Sequence, residues 1–253
     1  MLKKLYYFIY ELYVKVRSVF GNKYIKKLKD THKGERCFIV CTGPSLTLDD
    51  LELIKDEFSF SMNSIVRVFD KVQYRPNIYM LQDSHAFKRI ESDIKKNLHE
   101  IDLTLLGSII RFRFPFIRIP KNAKRKVKNF NLSLLGHNLA PNRVLYFSKD
   151  PSRIFYDGFT ITYSAFQLAV YMGFKDIYFL GNDCNYSGEK KHFDGSGEKN
   201  VSYENSEDNM QFMYSFIKSI QSSLDVNIYN ATRGGKLEEF PRVALEDIIG
   251  KKE

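Results

Sequence analysis

Short apolar runs alternate along this chain with longer stretches in which apolar residues recur every three or four positions. A run apolar at nearly every position suits a strand buried on both faces, and the three-to-four spacing suits a helix packed by one stripe. The runs fall at residues 36–41, 58–63, 78–83, 103–106, 109–110, 175–180 and 226–229. Helical spacing covers residues 2–20, 87–98, 164–172 and 210–224. This order predicts an α/β fold with a Rossmann-like, mostly parallel sheet flanked by helices.

Two segments depart from that rhythm. Residues 2–20 carry a stripe of Leu5, Phe8, Ile9, Leu12, Tyr13, Val16, Val19 and Phe20, stopped by Gly21-Asn22, with lysines on the other face. The stripe suits either the surface of the domain or the headgroup region of an anionic membrane. In residues 111–118 arginine alternates with apolar side chains, which predicts a half-exposed strand or arm with one basic face. Lys121, Lys124, Arg125, Lys126 and Lys128 extend it. The expected organisation is an amphipathic membrane-proximal helix at 1–29 and a nucleotide-binding catalytic domain at 30–249, with residues 84–151 as a basic lid or insertion.

Candidate chemistry gathers at strand ends, because ligands of open parallel sheets sit beyond the carboxyl ends of the strands. The first run ends in Gly43-Pro44-Ser45, a tight turn before a helix, which is a phosphate-binding arrangement. Asn63 and Asp83 end the next two strands, as ligand contacts or as helix caps. Gly158, Thr160 and Thr162 precede a helix and offer a second anion position, with Gly181 and Asp183 ending the strand that follows. Arg233, with Gly234 and Gly235, forms a further anion-friendly turn. Tyr186 and His192 lie in a long polar loop, and His192 is the histidine best suited to acid–base chemistry.

Composition narrows the partners. The formal charge of +9 points to anionic partners. Nucleic acid is not expected, since no helix-turn-helix, zinc-finger or RNP pattern accompanies the basic segments. Cys37, Cys41 and Cys184 make neither an even disulfide set nor a zinc pattern, and reduced thiols in a cytoplasmic protein are expected. Charges interrupt the apolar run of residues 2–20 and no cleavage site follows, so neither a span nor a signal peptide is expected. The expected location is the cytoplasm, peripheral on the inner face of the cell membrane.

Gly43-Pro44-Ser45-Leu46, the helix beginning after Gly158, residues 173–183 and the ending at 229–238 together resemble the hydroxymethylpterin diphosphokinase-like family found in bacterial polysaccharide gene clusters. The turn and the 173–183 strand also resemble bacterial CMP-sialic acid sialyltransferases. That second resemblance implies a metal-independent transfer from a nucleotide-activated sugar, a CMP-sugar, to a glycan or lipid-linked acceptor, with no cofactor required. Gly43, Ser45, Asn63, Thr160 and Thr162 would hold the nucleotide, and Tyr186 would aid departure of the phosphate. The chain departs from those enzymes in lacking a histidine after this loop, so His192 would be base or phosphate stabiliser. The diphosphokinase reading instead implies ATP and Mg²⁺, with Asp83 and Asp183 as metal carboxylates. A third reading is a non-catalytic polysaccharide-assembly protein.

Overall fold

The computed structural model describes residues 2–115, 117–135, 144–185, 193 and 205–250. Its strands are β1 (Arg36–Val40), β2 (Ser59–Met62), β3 (Ile78–Leu81), β4 (Leu103–Gly107), β5 (Val127–Phe130), β6 (Leu132–Ser133), β7 (Phe155–Tyr156), β8 (Asp176–Leu180) and β9 (Asn227–Asn230). Its α-helices are α1 (Leu2–Phe20), α2 (Lys23–Lys26), α3 (Leu48–Leu53), α4 (Ser84–Arg89), α5 (Glu91–Asn97), α6 (Ser108–Arg113), α7 (Ile161–Met172), α8 (Ser206–Ile220) and α9 (Leu245–Ile249). Seven strands form one parallel sheet in the order β5-β4-β3-β2-β1-β8-β9, and β6 pairs with β7 in a small second sheet.

The period of two along β1 explains why both faces of the sheet are covered. Cys37, Ile39 and Cys41 enter one core, with Phe60, Phe166, Phe179 and Tyr214. Phe38 and Val40 enter the other, with Leu51, Ile65, Tyr79 and Leu81. Helix α7 runs across β1, β2 and β3 on the first face and is buried along nearly its whole length. Thr160 caps its start, and Gly173, at φ +90°, closes its end in the left-handed conformation that a side chain would disfavour.

Residues 84–135 depart from the lid expected of them. They supply β4 and β5, which are integral strands of the main sheet, so this stretch is no insertion. Ile109 and Ile110 are helical, not extended, and Arg111 to Arg113 complete α6. Three residues of alternation fit either period; Ile110 and Phe114, four apart, turn toward the same core. The helix stops at Phe114 because the residue before Pro115 is disfavoured in helical conformation. The helix predicted at 87–98 is likewise two, α4 and α5, divided at Ile90.

Helix α1 joins the first core through Tyr10 and Val14, both fully buried. The Tyr10 hydroxyl donates to the Leu132 carbonyl (2.6 Å) and pairs with Ser108 Oγ (2.9 Å). Glu11 accepts hydrogen bonds from Ser133 Oγ and the Leu134 N–H, and burial pushes its carboxyl above the usual range. Groups able to satisfy buried polar partners thus take the inner face, and the predicted apolar stripe is left outside, with Tyr13 alone of its members half-buried against Phe112.

Candidate functional site

Strand order reverses direction between β1 and β8: β2 to β5 extend to one side of β1, and β8 and β9 to the other. At such a switch point the connections leave in opposite directions and open a crevice above the strand ends. Here it is a solvent-open cleft of about 480 Å³ lined by Thr42, Gly43, Asn63, Thr160, Thr162 and Asp183, with Pro44, Gly181, Cys41, Met62, Asn182, Cys184, Asn185 and Met210 completing the wall. None of these lining residues is Lys, Arg or His.

Asp183 is the one carboxylate in that lining, and it is 8% exposed. Ser45 donates to its Oδ2 through the hydroxyl (2.9 Å) and the backbone N–H (3.3 Å). Burial raises its pKa above the ordinary aspartate value, and the Ser45 hydrogen bonds oppose that rise. Gly43 is glycine for the same reason: a Cβ there would run into the Asp183 carboxylate and stand 2.6 Å from the Gly181 carbonyl oxygen. The Gly-Pro-Ser turn therefore cradles an anion already, the protein's own carboxylate. From the other side Lys236 N–H donates to the Asp183 carbonyl (2.7 Å), and a Cβ on Gly235 would fall 2.6 Å from that oxygen.

Across the crevice stands the N-terminus of α7. Thr160 Oγ1 accepts from the Thr162 N–H, and the Thr160 hydroxyl donates to Thr162 Oγ1 (3.2 Å). Thr162 also pairs with the Cys41 thiol (3.3 Å), joining the helix to the end of β1. Burial pushes Cys41 up to about 12 and Cys184 higher still, so neither thiol supplies a thiolate near neutrality. Three non-glycine residues around the opening have left-handed backbone: Asn63 (φ 49°), Phe159 (φ 71°) and Cys184 (φ 50°). Asparagine tolerates this conformation, but Phe and Cys hold it against a steric cost of about 1–3 kcal/mol that folds concentrate at working sites.

The predicted residues divide accordingly. Gly43, Pro44, Asn63, Thr160, Thr162, Gly181 and Asp183 line the crevice, and Ser45 reaches it through Asp183. Asp83 caps α4 by accepting from the His85 N–H (2.7 Å) and is absent from the lining. Gly158 packs beneath Tyr163, whose ring carbons would be 2.5 Å from a Cβ. Arg233 is paired with Asp50, 1% exposed, and with Glu246 (2.5 Å), and is absent from the crevice lining. What that glycine-rich turn does is brace Asp183. Tyr186 and His192 lie outside the described residues. Sequence reasoning passed over Thr42 and Asn182, polar strand-end residues beside the motifs already singled out. It also passed over Met62, Met210 and the two cysteines, whose apolar character reads as core.

A family model described as 6-hydroxymethylpterin diphosphokinase MptE-like matches residues 11–189. The chain belongs to this family. The match starts within α1 and ends three residues before His192. No curated protein gives a significant match. Among solved structures the chain is similar to the MAf glycosyltransferase from Magnetospirillum magneticum AMB-1, at 16% identity and a TM-score of 0.53, over 86% of this chain and 35% of that one. The likeness is one of fold, and the chain spans about a third of that protein's length. Asp83 follows β3 and Asp183 follows β8, with β2 and β1 between them. Asp83 is not among the residues that line the crevice beside Asp183.

Proposed function

We propose that this MptE-like protein is a sugar transferase that uses a nucleotide-activated donor, a CMP-sugar, and passes the sugar to a glycan or lipid-linked acceptor of surface polysaccharide. The observation carrying this reading is the charge of the crevice: hydroxyls, amides and backbone N–H groups surround a single carboxylate, with no basic side chain among the described lining. A CMP-sugar presents one phosphodiester with a single negative charge, which neutral donors and the α7 N-terminus can satisfy. A nucleoside triphosphate brings several charges and a metal, which call for cationic clamps and more carboxylates.

In this reading Thr160, Thr162 and Asn63 hold the phosphate and the nucleotide's ribose. Asp183, whose raised pKa makes it a stronger base than an exposed aspartate, takes the proton of the acceptor hydroxyl. The acceptor oxygen bonds to the anomeric carbon as that carbon's bond to the phosphate oxygen breaks, and CMP departs with the electron pair. Tyr186 and His192 are assigned to the departing phosphate. The family's diphosphokinase description supports a second reading, ATP giving its terminal diphosphate to a hydroxymethyl acceptor and leaving as AMP.

Ligand-induced thermal stabilisation tests the donor assignment. CMP at a hundredfold excess over Kd should stabilise the protein by about 2.7 kcal/mol, and Gly43→Ala should remove the effect. Stabilisation by Mg-ATP with none by CMP would refute the assignment.

A further inference from the structure

The outward face of α1 is an exposed apolar surface whose residues do not line the crevice. Leu5, Phe8, Leu12, Val16, Val19 and Phe20 fall in a sector of about 120° at 100° per residue. Their exposure is 54–83%, with Phe8 at 67% and Phe20 at 83%. They lie opposite Tyr10 and Val14, which dock the helix on the domain. The helix is therefore held to the fold by one side and leaves its broad apolar side uncovered. A helix that needed only to pack would carry polar residues on its outer side.

The charges around that face are all of one sign. Exposed Lys4 and Lys15 border one edge and exposed Arg17 lies beyond the other, with exposed Lys23, Lys26 and Lys27 following. The helix's acid, Glu11, is turned inward and bonded to Ser133 and Leu134. The fold also brings the second basic segment of the sequence alongside. Arg113 donates to the Tyr6 hydroxyl (3.3 Å) and lies over its ring, and Lys128 Nζ sits 5.1 Å from the Tyr24 ring centre.

From this geometry we propose that α1 is a monotopic membrane-docking helix, with its outer apolar face in the acyl boundary of an anionic bilayer and its flanking cations on lipid phosphates. At about 28 Å long and interrupted by charge, it would lie in the membrane plane, and no described helix is long and apolar enough to cross a membrane. A second copy is the poorer occupant: a two-fold contact through this face would bring together the Lys4, Lys15 and Arg17 cations of both copies with no acid to pair them. An anionic bilayer answers both features, each lysine or arginine near it adding about fivefold in partitioning.

Flotation of the full chain with phosphatidylcholine vesicles, with and without phosphatidylglycerol and at low and high salt, tests the proposal. Binding is expected with phosphatidylglycerol and to weaken with salt. A Phe8→Ser/Leu12→Gln/Val16→Gln variant, and separately a Lys4→Gln/Lys15→Gln/Arg17→Gln variant, should each bind at least about tenfold more weakly. Both should keep the wild-type melting temperature, since the altered side chains are outside the core. Four results would overturn the proposal: no flotation of the wild type, equal binding to neutral vesicles, undiminished binding of either variant, or a lipid-free dimer that the apolar variant dissolves. The crevice reading is unaffected by any of them, because it is tested with soluble nucleotides.

Discussion

Asp183, just past the end of β8, is held by the Gly43-Pro44-Ser45 turn at the end of β1. Burial raises its pKa while Ser45 pulls it down, so removing the Ser45 hydroxyl leaves burial less opposed. The folded pKa then rises, and a base must be deprotonated to act. Ser45→Ala should therefore move the acid limb of the pH profile of kcat/KM upward, with part of the effect withheld because the residue 45 N–H still donates. An unmoved acid limb would show that another group titrates there. Gly43 and Ser45 read in the sequence as anion-binding residues, and in the fold Ser45 donates to the Asp183 carboxylate. What the sequence could not convey is that the first anion they meet is Asp183, 138 positions from Ser45 and placed by strand order alone.

Among the elements, the contrast between α7 and α1 shows where periodicity informs and where it misleads. Ser164 to Met172 is apolar on nearly every side because α7 is buried all round, and capping threonines and a terminal glycine mark its ends. In α1 the stripe that reads most clearly as a packing face is the exposed one, while a tyrosine and a glutamate face inward on hydrogen bonds to Leu132, Ser133 and Leu134. Binary pattern does not reveal which polar atoms find buried partners. Arg233 illustrates the same limit. Its turn looks made for an anion, yet the guanidinium closes on Asp50, a buried acid within the capping box of α3, and on Glu246 of α9. Arg233→Ala should lower stability by about 1–3 kcal/mol, since it strips a buried carboxylate of a partner, without altering CMP affinity. Lost affinity at unchanged stability, measured by urea unfolding beside calorimetry, would restore the anion-binding role.

At the scale of the molecule, the alternation of strands and helices was enough to predict the parallel sheet, and of its strand-end polar residues Asn63 and Asp183 line the crevice while Asp83 does not. Strand order was not legible, and it decides the rest. By inserting β1 and β2 between β3 and β8 it separates Asp83 from Asp183, and by taking β4 and β5 into the sheet it turns an expected lid into framework. The same order sets Gly43, Thr160, Thr162 and Asp183 around one opening. This opening is proposed to transfer sugar from a CMP-activated donor. Its most direct test incubates the protein, and its Asp183→Asn variant, with CMP-, UDP- and GDP-sugars and with ATP, each with and without EDTA, and follows the nucleotide released. CMP release that persists in EDTA and is lost in Asp183→Asn is expected; AMP formed from ATP only with magnesium, and no CMP from any sugar donor, would contradict the proposal.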